Sequence, residues 1–219
     1  MRKSLLSLAM LAAGVATVNG QSIDVTIDRA VAAWAKVKTA RGSFEQAVNN
    51  SVTGGSATAR GDFQQDRPNR LAIRFTEPAG DVIIADGKAI WIYLPSSTPG
   101  QVIKRPAADR SAVPIDLTGE FLSAPRSKYD IADGGKQSVD GHTAYVLKLV
   151  PRKGTSAPFT RATVWVDEDD GIIRQFEVEE SSGITRRIHL TTLNLNAAVD
   201  RGAFSFTPPK GVKVVDQSP

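Results

Sequence analysis

The chain has 219 residues, of which 41% are hydrophobic and 23% are charged, and it carries a formal net charge of +4. This length suits one domain or two small ones, and we expect one. The composition argues against a disordered chain and against a membrane-spanning class. Cysteine is absent, which excludes disulfides, thiolate chemistry and cysteine-based metal sites.

Residues 1–20 are predicted to be a cleaved signal peptide. Arg2 and Lys3 supply a positive start, an apolar stretch follows over residues 5–18, and small residues precede Gln21. The apolar stretch is short for a membrane span and is interrupted by polar residues, which favours a cleaved signal over a transmembrane anchor. Residues 21–219 would then be a single exported domain. Without the two basic residues at the start, 25 basic and 23 acidic residues remain, a balance that does not indicate a nucleic-acid partner.

An amphipathic helix is predicted over residues 23–37. Its apolar residues recur at spacings of three and four, at Ile27, Ala30, Val31, Trp34 and Val37. Aspartates near its start and lysines near its end suit the helix dipole. The mixed charges of its polar face favour packing onto a sheet over binding to a membrane surface.

A meander of antiparallel strands follows in the first half of the chain. Leu71, Ile73 and Phe75 alternate with small or polar residues, so they share one face of a strand. The next two strands lie on either side of a turn at Asp86 and Gly87. Both of these strands carry apolar residues on both faces, which requires cover on both sides or an apolar ligand on one of them.

The remaining strands complete an α+β layout with about ten or eleven strands in an antiparallel sheet. They are predicted over residues 43–52, 57–65, 101–104, 145–151, 162–167, 172–179, 184–195, 203–206 and 212–215. The strand pattern lapses over residues 106–129, where short apolar pieces separated by proline and glycine are compatible with brief helices. This segment could be a lid or a plain connection.

The sequence offers no convincing catalytic, metal or cofactor site. His142 and His189 are the only histidines, and neither accompanies a G-x-S-x-G nucleophile pattern. The acidic run before Gly171 would need a carboxylate where Val166 stands to match a calcium loop. Phosphate-loop and dinucleotide fingerprints are absent from the sequence, so we expect no cofactor. A site would therefore consist of apolar surface between the sheet and its helices. From the residues alone, a filled core is favoured there over a pocket for an apolar ligand.

Four motifs, taken in order, resemble one protein family. They are GSFEQ at residues 42–46, RPNRLAIRFTEP at 67–78, IIADGKAIWIY at 83–93 and FSFTPPKGV at 204–212. Together they are similar to the outer-membrane lipoprotein carrier proteins of the periplasm, the LolA family, over essentially the whole mature chain.

The resemblance implies an incomplete antiparallel β-barrel with a helical lid over an apolar cavity. It also implies a monomeric, non-enzymatic periplasmic carrier that takes lipoproteins by their acyl chains from an inner-membrane ABC-type release complex to an outer-membrane receptor. Arg67 is then expected to latch the lid, although apart from the resemblance it could be a solvated turn arginine. The implied acyl-chain contacts are Leu71, Ile73, Phe75, Ile84 and Ile92, and the implied lid residues are Pro114, Ile115 and Leu117.

Two departures from the family pattern bear on the cargo. Ile73 stands where many members carry a bulky aromatic residue, and Arg70 stands where an apolar residue is often found, so cavity volume and cargo preference do not follow from the resemblance. Two other functions stay open. A lipid-sensing or scaffold domain would bind a protein partner on the same sheet, and a hydrolase would need a nucleophile and base that the sequence does not offer.

Overall fold

The computed structural model describes residues 18–108, 116 and 118–217. The helices are α1 (Val18–Ala35), α2 (Gly119–Leu122) and α3 (Pro125–Lys128), with a 3₁₀ helix at Arg201–Phe204. The strands are β1 (Thr39–Asn50), β2 (Ser56–Asp66), β3 (Arg70–Glu77), β4 (Val82–Asp86), β5 (Ala89–Tyr93), β6 (Gln101–Pro106), β7 (Tyr129–Val139), β8 (His142–Pro151), β9 (Arg161–Asp167), β10 (Ile173–Glu179), β11 (Ile184–Leu195) and β12 (Lys213–Asp216). None of the helices in this described part of the chain is both long and apolar enough to cross a membrane.

All twelve strands belong to one sheet in the order β12-β6-β5-β4-β3-β2-β1-β11-β10-β9-β8-β7. Each neighbouring pair is antiparallel except β12 and β6, which run parallel. Two runs of sequential strands therefore meet at one seam between β1 and β11. Strands β12 and β7 are the edges of the described sheet, which is open and rich in antiparallel pairs, as expected for an incomplete barrel.

One face of the sheet, called the inner face here, is covered by α1 and α2. The predicted helical stripe is buried against it, with Ile27, Ala30 and Trp34 each at most 6% exposed. These side chains share one apolar cluster with Leu71 of β3 and Phe121 of α2. Full burial of such a side chain contributes about 1.5–3 kcal/mol, so packing onto the sheet, more than intrinsic propensity, holds α1 in place.

The opposite face, called the outer face, is covered by the segment that follows β11. Ala72, Ile84, Ala203 and Phe204 form a separate apolar cluster there, the outer cluster. Arg74 Nη2 also donates a hydrogen bond of 3.2 Å to the carbonyl oxygen of Ala203. The sheet thus has cover on both faces where its strands are apolar on both sides.

Three sequence predictions are corrected by the observed elements. The predicted strand over residues 203–206 is replaced by the 3₁₀ helix, whose first turn is capped by Asp200 Oδ1 accepting from the amide of Gly202 at 2.8 Å. Strand β7 was not predicted. The described residues form a sheet of twelve strands, where about ten or eleven were expected.

Candidate functional site: an apolar interior and its lid

Aromatic side chains dominate the part of the inner face beneath α2. The ring of Phe121 lies 5.3 Å from that of Phe176 and 5.7 Å from that of Phe159, measured between centroids. Tyr129 stacks on Phe159 at 5.8 Å and is fully buried. Apolar ring contacts thus help to hold the short helix α2 against the inner face.

The alternating residues of β3 line the inner face as their spacing indicated. Leu71 and Ile73 are 1% and 8% exposed. Phe75 packs edge-on against Phe44 of β1, with ring centroids 5.5 Å apart. Ile92 of β5 packs against the same cluster. These four predicted acyl-chain contacts therefore lie on the lid-covered face, while their contact with a ligand stays a prediction.

Ile84, the fifth predicted contact, is on the wrong face. Ile73 pairs with Ile83, and Ala72 pairs with Ile84, so Ile83 shares the inner face and Ile84 belongs to the outer cluster. The pairing of β4 with β5 repeats this, because Ile83 is opposite Ile92. A shift of one residue along a strand reverses the face that a side chain occupies, so Ile83 takes the place assigned to Ile84.

In the part of the chain that the structure describes, the inner face packs closely against α1 and α2. A cavity of about 10 Å³ remains between α1, α2 and the sheet, at the lower limit for one water molecule. Its walls are Trp34, Ala40, Phe63, Gln65, Thr118, Ile172, Ile173, Leu190 and Leu193. Among the described residues, the side chains of α1, α2 and the inner face pack against one another in a single cluster, so an acyl chain would have to displace some of them to enter.

Arg67 ties the lid to the sheet at the turn between β2 and β3. Its Nη1 atom donates to the carbonyl oxygens of Trp34 at 2.7 Å and Val37 at 2.9 Å, at the end of α1. Its Nε atom lies 3.0 Å from Oδ2 of Asp116, and its guanidinium lies 5.0 Å from the centre of the Trp34 ring. The cation therefore adds charge-assisted hydrogen bonds to carbonyls at the end of α1, where the helix dipole favours a positive charge, and bridges them to the segment before α2.

Asp116 is the acceptor at the centre of this network. Besides Arg67, it accepts hydrogen bonds from the indole Nε1 of Trp34 at 3.2 Å and from the amide of Gly119 at 2.9 Å. One carboxylate thus connects α1, α2 and the β2–β3 turn. The predicted lid residues Pro114, Ile115 and Leu117 lie outside the described residues.

A second set of polar contacts holds the first half of α1. Arg126 of α3 donates to Asp24 Oδ1 at 3.0 Å and to Asp28 Oδ1 at 2.6 Å, and these bonds raise the pKa of Arg126. On the other side of the helix, Arg29 Nη1 donates to the carbonyl oxygen of Glu168 in the β9–β10 turn. Because Arg126 joins α1 to α3, α1 and the short helices are linked to one another as well as to the sheet.

The β9–β10 turn contains a buried carboxylate. Asp167 is 1% exposed and accepts from Arg174 Nε at 3.0 Å and from the amide of Asp169 at 2.8 Å, with His142 Nδ1 at 2.9 Å. Burial alone would raise the pKa of Asp167, but these hydrogen bonds and the neighbouring charges lower it below its ordinary value. The turn against which α1 rests is therefore itself rigidly supported.

The two histidines take structural positions. His142 pairs with Asp167, and His189 Nε2 lies 2.6 Å from Asp140 Oδ2. Strand β11, which carries His189, is thereby linked to the tip of the β7–β8 hairpin.

Asp116 was missed by the sequence analysis, as was the indole of Trp34 as a polar partner. The available signal was a single carboxylate within the apolar run VPIDL at residues 113–117. A partly buried arginine needs an anion nearby, and Asp116 was the natural candidate once Arg67 was assigned to the lid.

An open antiparallel sheet, with an apolar inner face closed by helices that an arginine ties down, defines a half-barrel binding protein with a lid. Residues 35–207 match the sequence model of the family described as Outer membrane lipoprotein carrier protein LolA. The chain belongs to the LolA family of outer-membrane lipoprotein carrier proteins.

Individual relatives support this assignment. The outer-membrane lipoprotein carrier protein of Klebsiella pneumoniae subsp. pneumoniae is 32% identical over 179 residues, covering 80% of this chain and 82% of that protein. The one from Halorhodospira halophila is 31% identical over 183 residues, covering 84% and 82%.

Two solved structures show the same fold at low sequence identity. MucB has a TM-score of 0.52 at 18% identity, covering 89% of this chain and 66% of that chain. An uncharacterised conserved protein from Thermus thermophilus has a TM-score of 0.51 at 13% identity, covering 90% and 100%.

Proposed function

We propose that residues 21–219 form a periplasmic carrier that binds the acyl chains of lipoproteins. In this proposal it accepts them from an inner-membrane ABC-type release complex and delivers them to an outer-membrane receptor. The observation that carries the proposal is the network of Arg67, Trp34, Val37 and Asp116, which closes a lid over an apolar face. The membership in a lipoprotein-carrier family supports the same function.

A closely packed inner face suits a carrier that must be soluble both with and without cargo. Without a ligand, the lid side chains cover the apolar face, so little of it is exposed to water. With a ligand, acyl methylenes replace them, and each buried methylene contributes about 0.8 kcal/mol. The hydrogen bonds of Arg67 favour the closed lid and so offset part of the free energy gained by binding the acyl chain. Net binding is therefore modest, and the cargo can be handed on.

Release of a radiolabelled lipoprotein from spheroplasts by purified residues 21–219 tests this function. We expect the lipoprotein to appear in a soluble one-to-one complex and to pass to outer membranes. Arg67→Leu should still take up cargo but should fail to hand it on, because its lid no longer closes behind the departing chain. Arg70→Leu, which changes an arginine that is 42% exposed and three residues away, should transfer cargo normally.

Failure to release any lipoprotein would refute the carrier proposal. Binding of a fluorescent fatty acid under the same conditions would then favour the lipid-sensing or scaffold domain.

A further inference from the structure

The small interior cavity has a polar side in otherwise apolar walls. Gln65 of β2 and Thr118 at the start of α2 line it, and they are 1% and 4% exposed. In the described part of the chain, the hydroxyl of Thr118 has no hydrogen-bond partner. A buried hydroxyl without a partner is destabilising, so its position calls for an explanation beyond packing.

Local helix geometry does not account for the Thr118 hydroxyl. Thr118 occupies the N-cap position of α2, but its side chain makes no capping bond. The amide of Gly119, the first residue of α2, is bonded to Asp116 at 2.9 Å. The hydroxyl is therefore left available inside the cavity, next to the lid network.

We propose that Thr118, on the polar side of this cavity, forms a subsite that binds the carbonyl oxygen of an acylated ligand, an extension that rests on the proposed carrier function. The hydroxyl of Thr118 is a hydrogen-bond donor, and the carbonyl of an ester or amide is an acceptor. Inside an apolar interior such a bond is stronger than in water.

The position of the subsite sets the orientation of the ligand. Trp34, whose carbonyl and indole belong to the lid network, lines the same cavity as Thr118. The polar end of the ligand would therefore lie beneath this network, and the acyl chain would extend from there over the remaining inner face.

The subsite favours a neutral acyl group over a carboxylate. Burying a charge is costly unless a counter-ion is available, and the nearby cation, Arg67, is already paired with Asp116 at 3.0 Å. Esters and amides would thus be preferred to free fatty acids of the same length. The carrier would distinguish lipidated proteins from free fatty acids by this one contact.

Matched ligands test the subsite. Methyl laurate and tetradecane have similar length and differ in the ester, and their affinities can be measured by displacement of a fluorescent acyl probe. We expect Thr118→Val to weaken binding of methyl laurate about three- to tenfold and to leave binding of tetradecane within about twofold. Thr118→Ser should restore ester binding. Thr163→Val makes the same exchange on β9 outside the inner cluster. It should change the affinity for neither methyl laurate nor tetradecane.

The orientation can be tested independently with brominated chains. Trp34 belongs to the inner cluster, whereas Trp91 and Trp165 pack in clusters on the outer face, so Trp91→Phe with Trp165→Phe leaves Trp34 as the fluorescent reporter. Methyl laurate brominated at carbon 2 should quench Trp34 more strongly than methyl laurate brominated at the chain end.

Equal losses for ester and hydrocarbon in Thr118→Val, or stronger quenching by the terminal bromine, would overturn the subsite and leave the carrier function intact. Displacement of the probe by neither ligand from the unmodified protein would refute the carrier function and the subsite with it.

Discussion

Replacing Arg67 with leucine removes the main polar connection between lid and sheet. The substitution eliminates two hydrogen bonds to the carbonyl oxygens of Trp34 and Val37 and the ion pair with Asp116. It also removes the cation from the face of the Trp34 ring. The leucine can still pack against apolar neighbours, so the loss is chiefly electrostatic.

The free energy by which Arg67→Leu destabilises the closed lid follows from these contacts. A hydrogen bond from a charged group contributes about 1.5–3 kcal/mol, and the lower end applies because the Arg67 side chain is 27% exposed. An ion pair at this exposure adds less than about 1 kcal/mol. The closed lid should therefore lose about 3 kcal/mol. Because closure competes with the ligand, affinity for an acyl ligand should rise by the same free energy, about 100-fold.

Displacement of a fluorescent fatty acid from purified residues 21–219 measures this effect. Arg67→Leu should bind the probe about 100-fold more tightly and release it more slowly than the unmodified protein. Arg70→Leu is the matched control, since Arg70 makes a partly exposed ion pair of 3.6 Å with Asp66, and its change should stay below about fivefold. Unchanged probe affinity in Arg67→Leu would refute the argument that the network opposes opening.

Four further substitutions test the interior, the two sheet faces and the supporting turn. Phe121→Ala should lower the free energy of unfolding by about 3–5 kcal/mol in chemical denaturation, and methyl laurate should restore part of it by filling the space. Ile84→Ala should lower the free energy of unfolding by about 2–5 kcal/mol without changing the affinity for the fluorescent probe. Ile83→Ala should weaken probe binding. The reverse result would restore Ile84 as the acyl-chain contact. The lowered pKa of Asp167 means that its stabilisation is present above its ordinary value of 3.8 and is lost as pH falls through the folded-state pKa. The free energy of unfolding of Asp167→Asn should therefore fall furthest below that of the unmodified protein at neutral pH, and the difference should shrink in acid. A difference that does not change with pH would contradict this.

Strict periodicity was the reliable guide to the fold. The helical stripe through Trp34 and the alternation of Leu71, Ile73 and Phe75 identified elements and faces, because each pattern has one apolar side. The run from Val82 to Ile84 is apolar on both sides, so periodicity could not assign its faces. The pairing of Ile83 with Ile73 assigns them. Such a register is set by the neighbouring strand and cannot be seen in the local sequence pattern of β4.

Strand β7 shows a different limit. Its sequence YDIADGGKQSV has charges and two glycines in place of an alternating pattern. Position 134 favours glycine because the backbone there lies close to Val146, and a Cβ would lie 2.7 Å from Cγ1 of Val146. Such an edge strand is specified by the strand beside it, and propensity alone does not reveal it.

The lid network was only half accessible from the sequence. Arg67 came from the resemblance. Its guanidinium donates to carbonyls at the end of α1, and its role as a latch stays a prediction. Its partner Asp116 lies 49 positions further along the chain, and sequence alone gave no measure of their distance.

The seam between β1 and β11 has a consequence for how the protein is made. Ser43 and Thr192 are hydrogen-bonded across it although 149 residues separate them, and the pairing extends along eleven residues of β1. Because β1 pairs with β11, the sheet can be completed only when both halves of the chain are present. Contacts between residues so distant in sequence form slowly. On the proposed export route, the first half would reach the periplasm with β1 lacking one neighbour until β11 has crossed the membrane. Its unpaired edge and uncovered apolar face would then be prone to aggregation until β11 pairs with β1.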